Sequence, residues 1–270
     1  MPVSTDNLML LQTECGEVTS LARSCWVAAV FSQRSPAKQT PNEDATIAIP
    51  LSEETAVFAI ADGCGGMRGG EQASSIALEC LAEAVDRRRE SPSDLRAAIL
   101  DGIESANQKI SDLKIGAACT IAVAEFHRGT IRTYHVGDSM ILLTSNRGTL
   151  RHQSICHSPV GFAVESGLLE PSQAMHHEER HIVSNVVGSA SMRIEIGPSM
   201  VMSPRDTLLI ASDGLFDNLL TEEVVETIRK GRLATSLQSL TRFALQRMCE
   251  DSDQPSKPDD LSIIAIRRSY

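Results

Sequence analysis

Four acidic clusters punctuate the chain, Asn42-Glu43-Asp44, Ala61-Asp62-Gly63, Ser212-Asp213-Gly214 and Pro258-Asp259-Asp260, and Gly137-Asp138-Ser139 is a fifth of similar form. Asp-Gly is a common turn pair, so any single copy reads as a turn. Asp101-Gly102 is the chain's own control: it falls inside a helical register and implies only a weakened helix. The other copies differ in placement. Asp62 and Asp213 each end an apolar run, Val57–Ala61 and Leu208–Ser212, and Asp259 and Asp260 come just before another that starts at Leu261. Carboxylates collected on one rim of a sheet repel each other unless cations lie between them. Mg²⁺ and Mn²⁺ prefer such an oxygen-only ligand set. Gly63, with no Cβ, lets the backbone turn and aim its carbonyl at a metal. Spacing alone leaves a metal site and a set of turns both open.

The elements that would position these acids follow from periodicity. Short apolar runs at Cys25–Ser32, Ala45–Ile49 and Ala56–Ala61 predict strands. A glycine cluster, Gly63 to Gly70, opens a helical segment over Glu71–Arg89. Leu95, Ile99, Ile103, Ala106, Ile110 and Leu113 mark one face of a second helix. Strands return at Cys119–Phe126, Thr130–Val136 and Met140–Thr144. The end of the chain predicts a strand at Thr207–Ser212, helices at Thr221–Lys230 and Ala234–Glu250, a polar loop at Asp251–Pro258 and a last strand at Leu261–Arg267. Antiparallel strand runs flanking helices indicate an α+β layered domain rather than a βαβ repeat. Residues 1–23 read as a lead-in of undetermined structure, and 24–270 as one domain with a surface excursion of short helices over about 151–203.

A formal net charge of −10 argues against nucleic acid as a partner, although bound cations can invert the local field and admit phosphate. No apolar stretch reaches the roughly 20 residues that span a bilayer. Seven cysteines without a CxxC pair read as free thiols, and with no signal peptide in view the expected compartment is the cytoplasm.

The ordered set Asn-Glu-Asp, Asp-Gly-x-Gly-Gly, Gly-Asp-Ser, Ser-Asp-Gly-Leu-Phe-Asp and a final Asp before a strand resembles the metal-dependent protein phosphatases, the type 2C family, and their compact bacterial branch in particular. The resemblance runs from about Cys25 to Arg267 and includes Val164–Leu169 and Asn185–Gly188. It implies a four-layer α-β-β-α sandwich of two antiparallel sheets with helices outside and metals at one end. It implies two divalent cations, Mn²⁺ or Mg²⁺: Asp62 bridging them, the Gly63 carbonyl on one, Asp213 and Asp259 on the other, and Glu43 or Asp44 serving the first. Asp138 resembles the residue that helps hold a third, weaker metal, and Asp260 stands where the family usually has asparagine, so it could exchange roles with Asp259.

The implied activity is hydrolysis of phosphoserine and phosphothreonine in proteins, with the water between the metals attacking directly and no phosphoenzyme. Lowering a water's pKa from 15.7 to about 7 corresponds to roughly 12 kcal/mol. The implied partners are phosphorylated proteins and a cognate serine/threonine kinase. A pseudophosphatase or regulatory binding module of the same fold is the alternative, and the presence of Asp62, Asp213 and Asp259 counts against it. Some relatives carry a histidine two residues after the bridging aspartate; here it is Cys64, which reads as a gap-filler. Arg34 or Lys38 could meet the phosphate, while Met140 stands where the family often has arginine. His176, His177 and His181 read as a surface helix rather than a zinc site, and Met67-Arg68-Gly69-Gly70 shapes a loop rather than a P-loop.

Overall fold

The computed structural model describes residues 7–14, 16–64, 69–89, 94–249 and 256–269. Cys15, residues 65–68 of the glycine cluster and residues 251–255 of the polar loop lie outside the described residues. The strands, numbered in chain order, form two sheets. The first contains β1 (Leu8–Leu11), β4 (Asp44–Pro50), β5 (Thr55–Asp62), β6 (Ile121–His127), β7 (Thr130–Val136), β10 (Glu195–Ile196) and β11 (Met200–Val201). The second contains β2 (Thr19–Ala22), β3 (Trp26–Gln33), β8 (Met140–Thr144), β9 (Leu150–Gln153), β12 (Thr207–Ala211) and β13 (Leu261–Arg268). The first sheet runs β1-β4-β5-β6-β7-β10, with β11 also on β7, and the second runs β2-β3-β13-β12-β8-β9.

Alternation of side chains along each strand builds the layers. On β5, Ala56, Phe58 and Ile60 face the second sheet, where they join Trp26, Val30, Ile210 and Ile264 in one buried cluster. Val57, Ala59 and Ala61 face outward onto helices α1 (Gly70–Arg87) and α2 (Leu95–Asp112). On β13, Ile264 and Ile266 face inward, whereas Ile263 and Ala265 pack beneath helices α6 (Thr221–Ile228) and α7 (Leu233–Cys249). Three buried clusters between four layers follow from that parity, and the architecture is the expected α-β-β-α sandwich.

Two expectations change. The lead-in is partly sheet: β1 pairs with β4 and β2 with β3, so residues 8–11 and 19–22 form an edge of each sheet. Runs of four residues are too short to show a period, whether wholly apolar as in β1 or half polar as in β2. Gly102, read as a mere helix weakness, packs at the α1–α2 contact, where a Cβ would lie 2.9 Å from Leu81 Cα. The excursion begins on the second sheet at β9, passes through α3 (Pro159–Glu165) and α4 (Pro171–Ala174), and ends on the first sheet at β10 and β11.

Candidate metal centre

Antiparallel pairing brings the acids to one rim. Neighbouring strands run in opposite directions, so the start of one lies beside the end of the next. In the first sheet Asp44, opening β4, is the register partner of Asp62, closing β5. In the second, β12 ends at Ala211 beside Met140 at the start of β8 and close to the start of β13. Asp138, Asp213 and Asp259 therefore leave their strands at the same edge. Asp44 and Asp62 also share the even-numbered parity that faces the sandwich interior.

The Asn-Glu-Asp motif divides its labour. Asn42 is buried and donates from Nδ2 to the Thr13 carbonyl at 3.0 Å and to Ser32 Oγ at 3.1 Å, while its Oδ1 accepts from the Asp44 backbone N–H at 2.9 Å. Asp44 is 1% exposed. Its Oδ2 accepts from Ser212 Oγ at 2.8 Å, but its Oδ1 has no hydrogen-bond partner. Glu43 pairs with Lys38 and lies against Gly70, where a Cβ would come within 2.5 Å of Glu43 Oε1. A Cβ on Gly63 would in turn lie 2.4 Å from the Gly70 peptide. The missing Cβ atoms let Gly63, Gly70 and Glu43 approach one another beside the acids.

The electrostatics are those of crowded anions. Burial, then the charges of Asp44, Asp213, Asp259 and Asp138, push the Asp62 carboxyl well above the usual carboxylate range. Asp44 is pushed up by burial and by Asp260. Burial and Asp213 raise Asp138 to about 8 and both Asp217 and Asp259 to about 6. A buried carboxylate oxygen without a partner is costly, and mutual repulsion adds to the cost. Hard divalent cations with oxygen ligands relieve both, so the donor set fits them.

The two neighbouring acids separate. Asp259 belongs with Asp213 and Asp62. Asp260 is 3% exposed and turned to the scaffold: its Oδ1 accepts from Ser35 N–H at 2.8 Å, and its Oδ2 from Glu43 N–H at 2.8 Å and Lys38 Nζ at 2.7 Å. Its oxygens tie the Glu43 loop to the second sheet, which sets it apart from Asp259 as a candidate ligand. Lys38 is held at the edge of the cluster by Glu43 and Asp260, and Arg34 pairs with Glu14 at 3.5 Å.

Two residues of the cluster carry no role in the sequence reading. Asp217 caps the short helix α5 (Asp213–Phe216), and the second aspartate of Ser-Asp-Gly-Leu-Phe-Asp was its signal. Lys257 reaches Asp213, Asp217 and Asp259 at 2.8, 2.6 and 3.2 Å. A lysine two residues before Asp259 gives no periodic signal of that role.

His157 secures the Gly-Asp-Ser turn. Its backbone N–H donates to the Gly137 carbonyl at 2.9 Å and its Nδ1 accepts from Gly137 N–H at 3.1 Å, which places the ring proton on Nε2, facing Glu195 at 3.1 Å. His135, His157 and Glu195 bring ligand atoms within 4.8 Å of one another, yet these hydrogen bonds already engage the two rings internally. The surface helix expected at 176–181 is instead α4 followed by a 3-10 helix over Glu178–His181, with His177 capping it through Nδ1. Cys64 is pushed up to about 12 by burial and then by Asp138, so it stays a thiol. A cavity of about 530 Å³ opens from Asp138, Asp213 and Asp217 beneath the excursion, with Met140, Val160, Met175 and Phe216 on its walls.

A layered sandwich with a rim of convergent aspartates defines a metal-dependent phosphatase. The family model described as protein phosphatase 2C matches residues 34–251, and the chain belongs to that family. The protein phosphatase PhpP of Streptococcus pneumoniae is 30% identical over 218 residues, covering 77% of this chain and 87% of PhpP. The crystal structure of the Mycobacterium tuberculosis serine/threonine phosphatase PstP/Ppp shares the fold, with a TM-score of 0.75 and 23% identity over 91% of this chain and all of that one. A PstP catalytic domain solved in complex with two manganese ions aligns with a TM-score of 0.72 at 22% identity, over 91% of this chain and 99% of that one.

Proposed function

We propose that this serine/threonine protein phosphatase hydrolyses phosphoserine and phosphothreonine monoesters by direct attack of water at a pair of divalent cations held on the aspartate rim. The observation that carries the reading is the buried, unpartnered Asp44 Oδ1 beside Asp62, among carboxylates that repel one another. Asp62 closes β5 between the two sets of candidate ligands and would be shared by both cations. Asp213 and Asp259, on the second-sheet side, would hold one cation, and Asp44 and the Gly63 carbonyl would serve the other. Bound there, two cations would lower the pKa of water and neutralise the phosphate charge. The manganese complex of a structural relative supports Mn²⁺ as a cofactor. Asp138, next to the Gly137 that His157 clamps, would help hold a third, weaker metal.

The Cys64 thiol, protonated at neutral pH, offers neither nucleophile nor base. Arg34 and Lys38 would have to break ion pairs to reach a phosphate, so the charge of the ester is met by the cations. The cavity beside Asp138 and Asp213 receives the segment of substrate flanking the phosphoresidue. A cognate serine/threonine kinase would supply the phosphoproteins. Among the described residues no helix is long and apolar enough to cross a membrane, and the cytoplasm is the proposed compartment.

The test is release of phosphate from a phosphothreonine peptide with Mn²⁺ present and then chelated. Asp62→Asn and Asp213→Asn should each lower kcat on the order of a thousandfold, because each removes several kcal/mol of charge stabilisation. Activity that survives chelation, or a trapped covalent phosphoenzyme, would overturn the mechanism.

A further inference from the structure

Lys257 is a cation in the midst of the proposed ligands. Its Nζ lies 2.8 Å from Asp213 Oδ2, 2.6 Å from Asp217 Oδ2 and 3.2 Å from Asp259 Oδ2, and its side chain is only 24% exposed. The backbone that carries it is fixed independently: Lys257 N–H donates to Asn218 Oδ1 at 2.9 Å and its carbonyl accepts from Asn218 Nδ2 at 2.8 Å. Asn218 is fully buried, and Pro258 restricts the residue before it to an extended backbone. The ammonium is therefore delivered to the acids by a rigid segment rather than by a wandering surface side chain.

Its partners are already engaged. Asp259 Oδ1 accepts from Asp260 N–H at 2.9 Å and Oδ2 from Lys257, so a metal approaching Asp259 meets an oxygen that already holds a proton donor. Asp213 likewise accepts from Lys257 through Oδ2. An ammonium and a divalent cation also repel each other at such separations. We infer that Lys257 is a tethered counter-cation: it neutralises Asp213 and Asp259 in the metal-free protein and must be displaced when a divalent cation takes those two carboxylates. The consequence is a second metal held more weakly than its carboxylates alone would hold it, in a metal-free fold that tolerates its own acidic rim. The inference rests on the reading of Asp62, Asp213 and Asp259 as ligands.

Mn²⁺ titration by calorimetry tests it on the intact chain, comparing the wild type with Lys257→Met, which keeps the aliphatic stem, and Lys257→Arg, which keeps the charge. Lys257→Met should tighten one Mn²⁺ site by about tenfold or more, since no charge-assisted hydrogen bonds have to be broken first. Lys257→Arg should stay near the wild type. Without metal, Lys257→Met should melt earlier than the wild type, and saturating Mn²⁺ should close or reverse that gap. If Lys257→Met does not fold without metal, Lys257→Gln, which keeps a donor without the charge, gives the same comparison. Unchanged or weaker Mn²⁺ binding overturns the inference, as does an equal loss of melting temperature with and without metal. A rise in KM for the phosphopeptide at unchanged Mn²⁺ affinity would place the ammonium on the substrate instead and overturn it equally. No Mn²⁺ binding by the wild type would sink the metal-site reading itself, a result distinct from a failure confined to Lys257.

Discussion

Asp259 and Asp260 are adjacent in the chain and do opposite jobs, and that contrast is the sharpest test at the scale of single residues. Asp259→Asn removes a charge from the cluster shared with Asp213 and should lower kcat on the order of a hundredfold or more. Asp260→Asn keeps an acceptor for only one of the backbone donors of Ser35 and Glu43 and turns its amide N–H2 toward the other and toward Lys38, so it should lower the stability of the fold by about 1–3 kcal/mol and lower kcat far less than Asp259→Asn does. Equal losses would contradict the division. The sequence carried the candidate acids but not this choice, because the direction of a side chain at a strand start depends on what the loop before it packs against. Lys257 was invisible for a related reason: its meaning comes from three acids brought near it by the fold, two of them about forty residues away. His157 belongs to this scale too. His157→Ala removes the ring acceptor for Gly137 N–H while keeping the backbone bond to the Gly137 carbonyl, and should cost roughly tenfold in activity, as loss of supporting hydrogen bonds around ligands does.

Strands and helices bring the acids together by their direction and parity. The apolar runs of β4, β5, β12 and β13 were readable as runs, and their acids were readable at the run ends, since a fully buried strand must stop where polar residues begin. Pairing order was not readable: nothing local says that β13, from the far end of the chain, lies between β3 and β12. The edge strands β1 and β2 escaped for want of apolar length. The close approach of Gly70 to Glu43 makes a prediction of its own. Gly70→Ala pushes a Cβ into Glu43 and should destabilise the fold by about 1–3 kcal/mol, measured by denaturant unfolding. Phe58→Ala, which empties the space against Trp26 between the sheets (ring centroids 5.2 Å apart), should cost about 3–5 kcal/mol while leaving the rim's composition intact.

For the molecule as a whole, the aspartate rim is a store of electrostatic cost that a cation relieves. Asp217 and Asp259, raised to about 6, and Asp138, raised to about 8, bind protons more tightly folded than unfolded. Their contribution therefore favours the folded state at acid pH and is lost as pH rises from about 4, the unfolded value, through those folded values. Metal-free protein should accordingly lose melting temperature between pH 5 and 8 more steeply than protein saturated with Mn²⁺. A hundredfold excess of Mn²⁺ over its Kd should add about 2.7 kcal/mol of stability. Identical pH profiles with and without metal would tell against a cation site on this rim. The central claim is a matter of place, and anomalous diffraction from crystals grown with Mn²⁺ decides it. The account predicts two strong peaks flanking the Asp62 carboxylate, one also at Asp213 and Asp259 and the other on the Asp44 and Gly63 side. Manganese bound elsewhere, at His135, His157 and Glu195 for instance, with no peak at Asp62, would contradict it.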